Sequence, residues 1–122
     1  MIIADTMVWA DFISHGDDRL SDLLNREATL MHPHVRGEIS LGNIGRRSAI
    51  LADLDRLPLA PMADHLEVLS LIENARLFGA GIGYVDAHLL ASTMLHDEGR
   101  LWTREKRLHA AAERLGIAYP AA

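Results

Sequence analysis

Cysteine is absent from the 122 residues. That excludes disulfides and thiolate metal ligands, and it is compatible with a reducing compartment. Lysine is almost absent: Lys106 is the only one among 12 basic residues, and the others are arginine. Arginine's planar fork binds two phosphate oxygens at once, which a lysine ammonium does not. No apolar run approaches the roughly 18 residues of a membrane-spanning helix. The N-terminus lacks a basic region followed by a long apolar stretch, so no secretory signal is predicted and a cytoplasmic protein is expected. Repeats, low-complexity stretches and linkers are not found, so residues 1–122 are read as one domain. The composition, 49% hydrophobic and 24% charged, is that of a globular chain. Net charge is −5. Whole-surface nucleic-acid binders are usually basic, so this balance disfavours one, while leaving room for a local basic patch.

What is present is a series of short apolar runs alternating with helical patterns. The runs at residues 1–4, 28–31, 100–102 and 117–119 read as strands, and Leu59-Ala60, bracketed by Pro58 and Pro61, reads as an edge strand. Helices are predicted over residues 8–14, 17–27, 33–43, 46–57, 63–78, 84–97 and 104–115. Leu20, Leu23 and Leu24 form one apolar stripe, Ile50, Leu51, Leu54 and Leu57 another, and Leu66, Leu69 and Leu77 a third. Pro33 suits a first helical turn and Gly116 a helix end. Strands alternating with helical crossovers predict an α/β fold with a parallel sheet.

Asp5 stands out because it follows the apolar run Met1-Ile2-Ile3-Ala4 and precedes a helix. Ligand sites of open α/β sheets lie just beyond the carboxyl ends of the strands. Asp5 could cap the helix instead, but Thr6 is available as the cap, which would free Asp5. Glu38 is predicted on the buried side of its helix, with Val35, Ile39 and Gly42. An acid there needs an ion or a partner such as Arg46 or Arg47. Asp86 follows a glycine-rich turn and shares a stripe with Leu89, Leu90, Thr93 and Met94. The helix dipole explains an acid in a first turn, but not one facing the core. Glu105 follows Leu101-Trp102-Thr103, where first-turn acids are common. No two of these acids are neighbours in sequence, so a shared site requires the fold to bring them together. Clustered carboxylates repel, and a hard divalent cation relieves that repulsion. Mg²⁺ or Mn²⁺ suits a ligand set made of oxygen alone.

Other features carry less. Among seven histidines, His32-Pro33-His34 suggests a metal pair, but the three or four spaced ligands of a zinc site do not follow. Gly79-Ala80-Gly81-Ile82-Gly83 lacks the Gly-Lys-Ser/Thr ending of a phosphate loop and reads as a turn. Trp9 and Trp102 flank the first and fourth acids and are expected as core walls.

Four segments resemble the acidic motifs of PIN-domain proteins, in particular VapC-type toxins of toxin–antitoxin pairs. They are Ile3-Ala4-Asp5-Thr6-Met7-Val8-Trp9, the stretch 35–43 around Glu38, the stretch 83–90 around Asp86, and the stretch 101–108 around Glu105. They occur in the family's order and span almost the whole chain. The resemblance implies a three-layer α/β/α domain around a short parallel sheet of four to five strands. It implies a Mg²⁺- or Mn²⁺-dependent ribonuclease that hydrolyses RNA phosphodiesters with a metal-activated water. Asp5, Glu38 and Asp86 match the metal-binding acids. Glu105 departs from the aspartate common at the fourth position, and so is expected to act directly or through water. Thr6 and Thr103 match supporting hydroxyl positions. Arg46, Arg47, Arg104, Lys106 and Arg107 are candidate contacts for RNA phosphates. The resemblance also implies a cognate VapB-type antitoxin and a homodimer. Two other readings exist: a PIN-like interaction module with weakened catalysis, and a phospho-accepting receiver domain. The latter needs a lysine near the end of a late strand, where this chain has Lys106 in a helical segment.

Overall fold

The computed structural model describes residues 1–120; Ala121 and Ala122, the end of the expected domain, lie outside the described residues. Three strands form a parallel sheet: β1 (Ile2–Ala4), β2 (Thr29–Leu30) and β3 (Arg100–Trp102), in the order β2-β1-β3. Ile3 lies opposite Leu30 on one side and Leu101 on the other, and Ala4 lies opposite Trp102. Every residue of β1 is buried, as expected for a parallel strand covered on both faces. This is the three-layer α/β arrangement. The two expected outer strands are reduced to single parallel bridges, Met31 to Leu59 and Leu101 to Ala118.

Seven helices surround the sheet: α1 (Thr6–His15), α2 (Asp18–Asn25), α3 (Pro33–Ser40), α4 (Arg47–Leu54), α5 (His65–Asn74), α6 (Tyr84–Leu95) and α7 (Lys106–Arg114). Buried faces of the helices other than α5 meet β1 and β3 in one core that includes Trp9, Leu20, Leu90, Trp102 and Leu108, and Val68 of α5 packs in a second cluster with Ala63, Ala87 and Ala91. Trp9 and Trp102 are core walls, as expected. α5 differs most from its prediction. Asp64 and Glu67 form a reciprocal capping box that starts it late, and Arg76, with φ of 53°, ends it early. Its buried face is Val68, with Leu71 and Ile72 partly buried, while Leu66 and Leu69 face outward. The Leu66/Leu69/Leu77 stripe therefore misplaced the helix by part of a turn.

Neighbours of β1 on its two sides come from different parts of the chain. The path passes from β1 to β2 on one side and, after α3 to α6, returns to β3 on the other. The crevice at the carboxyl ends of β1 and β3 is thus a topological switch point, the favoured ligand position in such sheets.

Beneath that crevice, His32 starts α3 from a fully buried position. Its Nδ1 accepts the amide of His34 at 3.0 Å, so the neutral ring carries its proton on Nε2 and donates to Ser92 Oγ at 2.9 Å. Burial first, then the charges of His34 and His88, lower its pKa to about 4. The folded ring stays neutral while the unfolded chain takes up a proton below its ordinary pKa of 6.5. Stability is therefore lost as pH falls from 6.5 towards 4, by about 3 kcal/mol from this residue. Urea midpoints measured from pH 7 to 4.5 are expected to fall, and His32→Asn, which keeps a capping acceptor, is expected to flatten that fall.

Candidate active site

Asp5 leaves β1 in extended conformation and is 5% exposed. Its amide donates to Trp102 O at 2.9 Å. Oδ1 accepts the Met7 amide at 3.0 Å, and Oδ2 accepts the Thr103 hydroxyl at 2.5 Å. Asp5 is thus itself the cap of α1, which corrects the expectation that Thr6 would fill that role. Thr6 instead donates its hydroxyl to Glu38 Oε1 at 2.6 Å. Thr103 Oγ1 in turn accepts the Glu105 amide at 3.1 Å. The two threonines therefore lace the ends of β1 and β3 to three of the acids.

Glu38 is exposed, whereas Val35 and Ile39 on the same helix are buried. The expectation of a buried Glu38 is corrected: it sits on the rim of the α1–α3 contact, held by Thr6. Nor does Arg47 pair with it. Arg47 donates to Ser40 O at 2.6 Å and Gly42 O at 3.2 Å, satisfying carbonyls at the end of α3.

Asp86, in the first turn of α6, accepts the Gly83 amide at 3.0 Å. Its pKa is raised, first by burial and then by the charges of Asp5 and Glu38, against the opposing pull of that amide. Glu105 stands before α7, and partial burial followed by the charges of Asp86, Asp5 and Glu38 raises its pKa as well. The charges of Asp5 and Glu38 act on Asp86, and those of Asp86, Asp5 and Glu38 act on Glu105, so the four carboxyl groups lie within electrostatic reach of one another. Among the described residues, none of the four pairs with a lysine or arginine. Nor do any three carboxylates or imidazoles close on one ion-sized point. The donor chemistry nonetheless fits a hard divalent cation: oxygens only, of like charge, with a deficit of positive partners.

The five basic candidates separate. Arg104 pairs with Asp11 at 2.6 Å and Asp17 at 2.9 Å, and lies over the Trp102 ring at 5.5 Å. Its charge is already matched by two carboxylates in this structure. Burial pushes Asp17 up, but the Leu20 and Arg19 amides and Arg104 outweigh it and hold the carboxyl below its usual range. Arg46, Lys106 and Arg107 are exposed, and no acidic partner is found for them among the described residues.

Sequence reasoning did not find the aromatic chain on the α3–α6 side. His65 Nδ1 meets the Tyr84 hydroxyl at 2.5 Å, Tyr84 packs on His88 at 4.7 Å, and His88 packs on His34 at 4.6 Å. The only local signal was the four-residue spacing of Tyr84 and His88 on one helix. The absent zinc pattern has a physical counterpart, since both nitrogens of His32 are already hydrogen-bonded.

Two curated relatives match nearly the whole chain. Ribonuclease VapC32 of Mycobacterium tuberculosis, strain CDC 1551 / Oshkosh, is 44% identical over 118 residues, covering 97% of this chain and 95% of its own length. Ribonuclease VapC32 of strain ATCC 25618 / H37Rv gives the same figures. The chain belongs to the VapC family of PIN-domain proteins. No family model matches it. In this VapC chain the matched stretch includes three of the four acidic segments at least, because no more than four residues of the chain fall outside an alignment of 118 out of 122.

Thr103 gives this VapC site a stability test. Thr103→Val leaves a buried Asp5 oxygen without its hydroxyl donor and is expected to cost about 1–3 kcal/mol in urea unfolding, while Thr103→Ser retains most of it. Asp86 gives a second. Its folded pKa is raised, so the unfolded chain ionises first, and metal-free stability falls as pH rises from 3.8 through the folded value. Metal-free Asp86→Asn is therefore expected to melt higher than wild type at pH 7.5, measured by calorimetry.

Proposed function

We propose that this chain is a Mg²⁺- or Mn²⁺-dependent ribonuclease that serves as the toxin of a toxin–antitoxin pair in the cytoplasm. The observation that carries the reading is a set of four carboxylates within electrostatic reach of one another, three of them fixed by hydroxyl or amide donors and none paired with a cationic side chain among the described residues. The name borne by the two relatives, ribonuclease, supports it.

Asp5, Glu38 and Asp86 would hold the ion, with Glu105 beside them, directly or through water. When bound, the ion supplies Lewis acidity, acidifying water and offsetting charge on phosphoryl oxygens. The protein contributes orientation. Thr103 fixes one oxygen of Asp5, Thr6 fixes one of Glu38, and the Gly83 amide fixes one of Asp86. Glu105, the acid not committed to holding the ion, is the group left to take or return a proton near the reacting phosphate. Arg46, Lys106 and Arg107 are the cations left to receive the RNA backbone. Arg47 keeps its charge while bound to carbonyls and flanks the same edge.

A groove of about 360 Å³ lined by Trp9, Phe12, Ile13, Leu24, Ile50 and Leu57, with Asp53 at its rim, suits the apolar face of an antitoxin helix. Self-association as a homodimer is part of the same reading. Among the described residues no helix is long and apolar enough to cross a membrane.

The test is cleavage of structured RNA in Mg²⁺ or Mn²⁺, with and without chelator. Wild type is expected to cut only with metal, and Asp5→Asn and Asp86→Asn are each expected to lose at least about 100-fold in rate, as removal of a charge-stabilising group does. Glu105→Gln reports whether the fourth acid takes part. Well-folded wild type that leaves RNA intact at every metal concentration would point to an interaction module instead.

A further inference from the structure

The chain has six Phe, Trp and Tyr residues, and their burial is uneven. Trp9 and Trp102 are buried, and Phe12 and Tyr119 are partly so. Among the described residues, Phe78, 61% exposed, and Tyr84, 44% exposed, are the most exposed of them. Both line one pocket of about 220 Å³, with Ile72, Ile82 and Gly83. The two most exposed of these aromatics among the described residues share one concavity, which needs a reason beyond packing.

The pocket is joined to the carboxylate site. Gly83, on its wall, donates its amide to Asp86. Tyr84 is held through its hydroxyl by His65 and through its ring by His88, and Leu77, next to Phe78, is 3% exposed. Gly79 and Gly81 have φ of 72° and 78°, a conformation that side chains rarely adopt. At Gly81 a second constraint applies: a β-carbon would collide with the guanidinium of Arg107, which lies against the loop. Arg107 has no carboxylate partner among the described residues. Aromatic faces, a free cation and a turn shared with a carboxylate site thus meet at one place.

We propose that this pocket, between Phe78, Tyr84 and the Gly79–Gly83 loop, is a subsite for one unpaired nucleobase of the RNA, stacked on Phe78 with Arg107 on an adjoining phosphate. The proposal rests on the ribonuclease reading and deepens it. The combination of ring and cation favours a nucleotide over an apolar protein segment, which would leave Arg107 desolvated without a partner. Stacking accepts any base, but a base within a duplex has no free face, so the subsite selects single-stranded loops or ends.

The probe is a set of single-stranded RNA octamers, each with 2-aminopurine at one position, titrated in Mg²⁺ into Asp86→Asn protein. One position is expected to lose fluorescence on binding. Phe78→Ala in the same background is expected to abolish that quench and weaken binding about ten-fold, whereas Phe78→Trp retains both. The quench is expected to vanish when the labelled octamer is annealed to its complement. Octamers that bind with no position quenched, a quench unchanged in Phe78→Ala, or an equal quench in the duplex would each overturn the subsite. So would Phe78→Ala that alters only the sedimentation of the protein, since the ring would then serve a contact between copies. Cleavage by wild type keeps the two readings apart. Metal-dependent cutting with no quench removes the subsite and leaves the ribonuclease, and neither cutting nor octamer binding removes both.

Discussion

Asp5, Glu38, Asp86 and Glu105 lie within electrostatic reach of one another with no cationic side chain paired to any of them among the described residues, so their repulsion is carried by the fold around them. The donors that reach these oxygens are hydroxyls and amides: Thr103 and Met7 on Asp5, Thr6 on Glu38, Gly83 on Asp86. Such donors fix direction without cancelling charge, whereas an arginine at the same distance would do both. The nearby guanidiniums are directed elsewhere, Arg104 to Asp11 and Asp17 and Arg47 to the carbonyls ending α3. Positive charge is present around the site and is kept out of its centre.

That arrangement depends on the sheet being parallel and on where its order reverses. β1 sits in the middle, so the residue that leaves it can touch the residue that leaves β3, 98 positions later. A sheet in sequence order would set those ends apart. The core supports the same contact from below, with Trp102 adjoining Thr103 and Trp9 following Asp5 by four positions, both fully enclosed.

The sequence made much of this legible. Strand positions followed from short apolar runs, and the four acids from their places beside strands and helix starts. Other features were hidden because they depend on contacts between distant segments. Periodicity gave Glu38 to the buried face, since its neighbours Val35 and Ile39 are buried, but the edge of a helix face is set by what packs against it, here α1. Asp5 caps α1 with one oxygen and accepts the Thr103 hydroxyl with the other, which leaves Thr6 to reach Glu38, and the place of Thr103 is set by strand pairing between distant segments. The outward turn of Leu66 and Leu69 came from the way α5 packs on α6, which buries Val68 with Leu71 and Ile72 instead. The meeting of Phe78, Tyr84 and Arg107 joins three segments and has no local signature.

The two margins of the sheet have a consequence for how the molecule behaves when concentrated. Each ends in a single rung, at Leu59 and at Ala118, and Pro58 and Pro61 stand on either side of the first of these. A margin so brief, with imino residues flanking it, offers almost no ladder for a stranger's backbone to extend. An oily, largely enclosed parallel sheet can thereby stay discrete in a crowded solution, since fibre-like stacking has nowhere to begin.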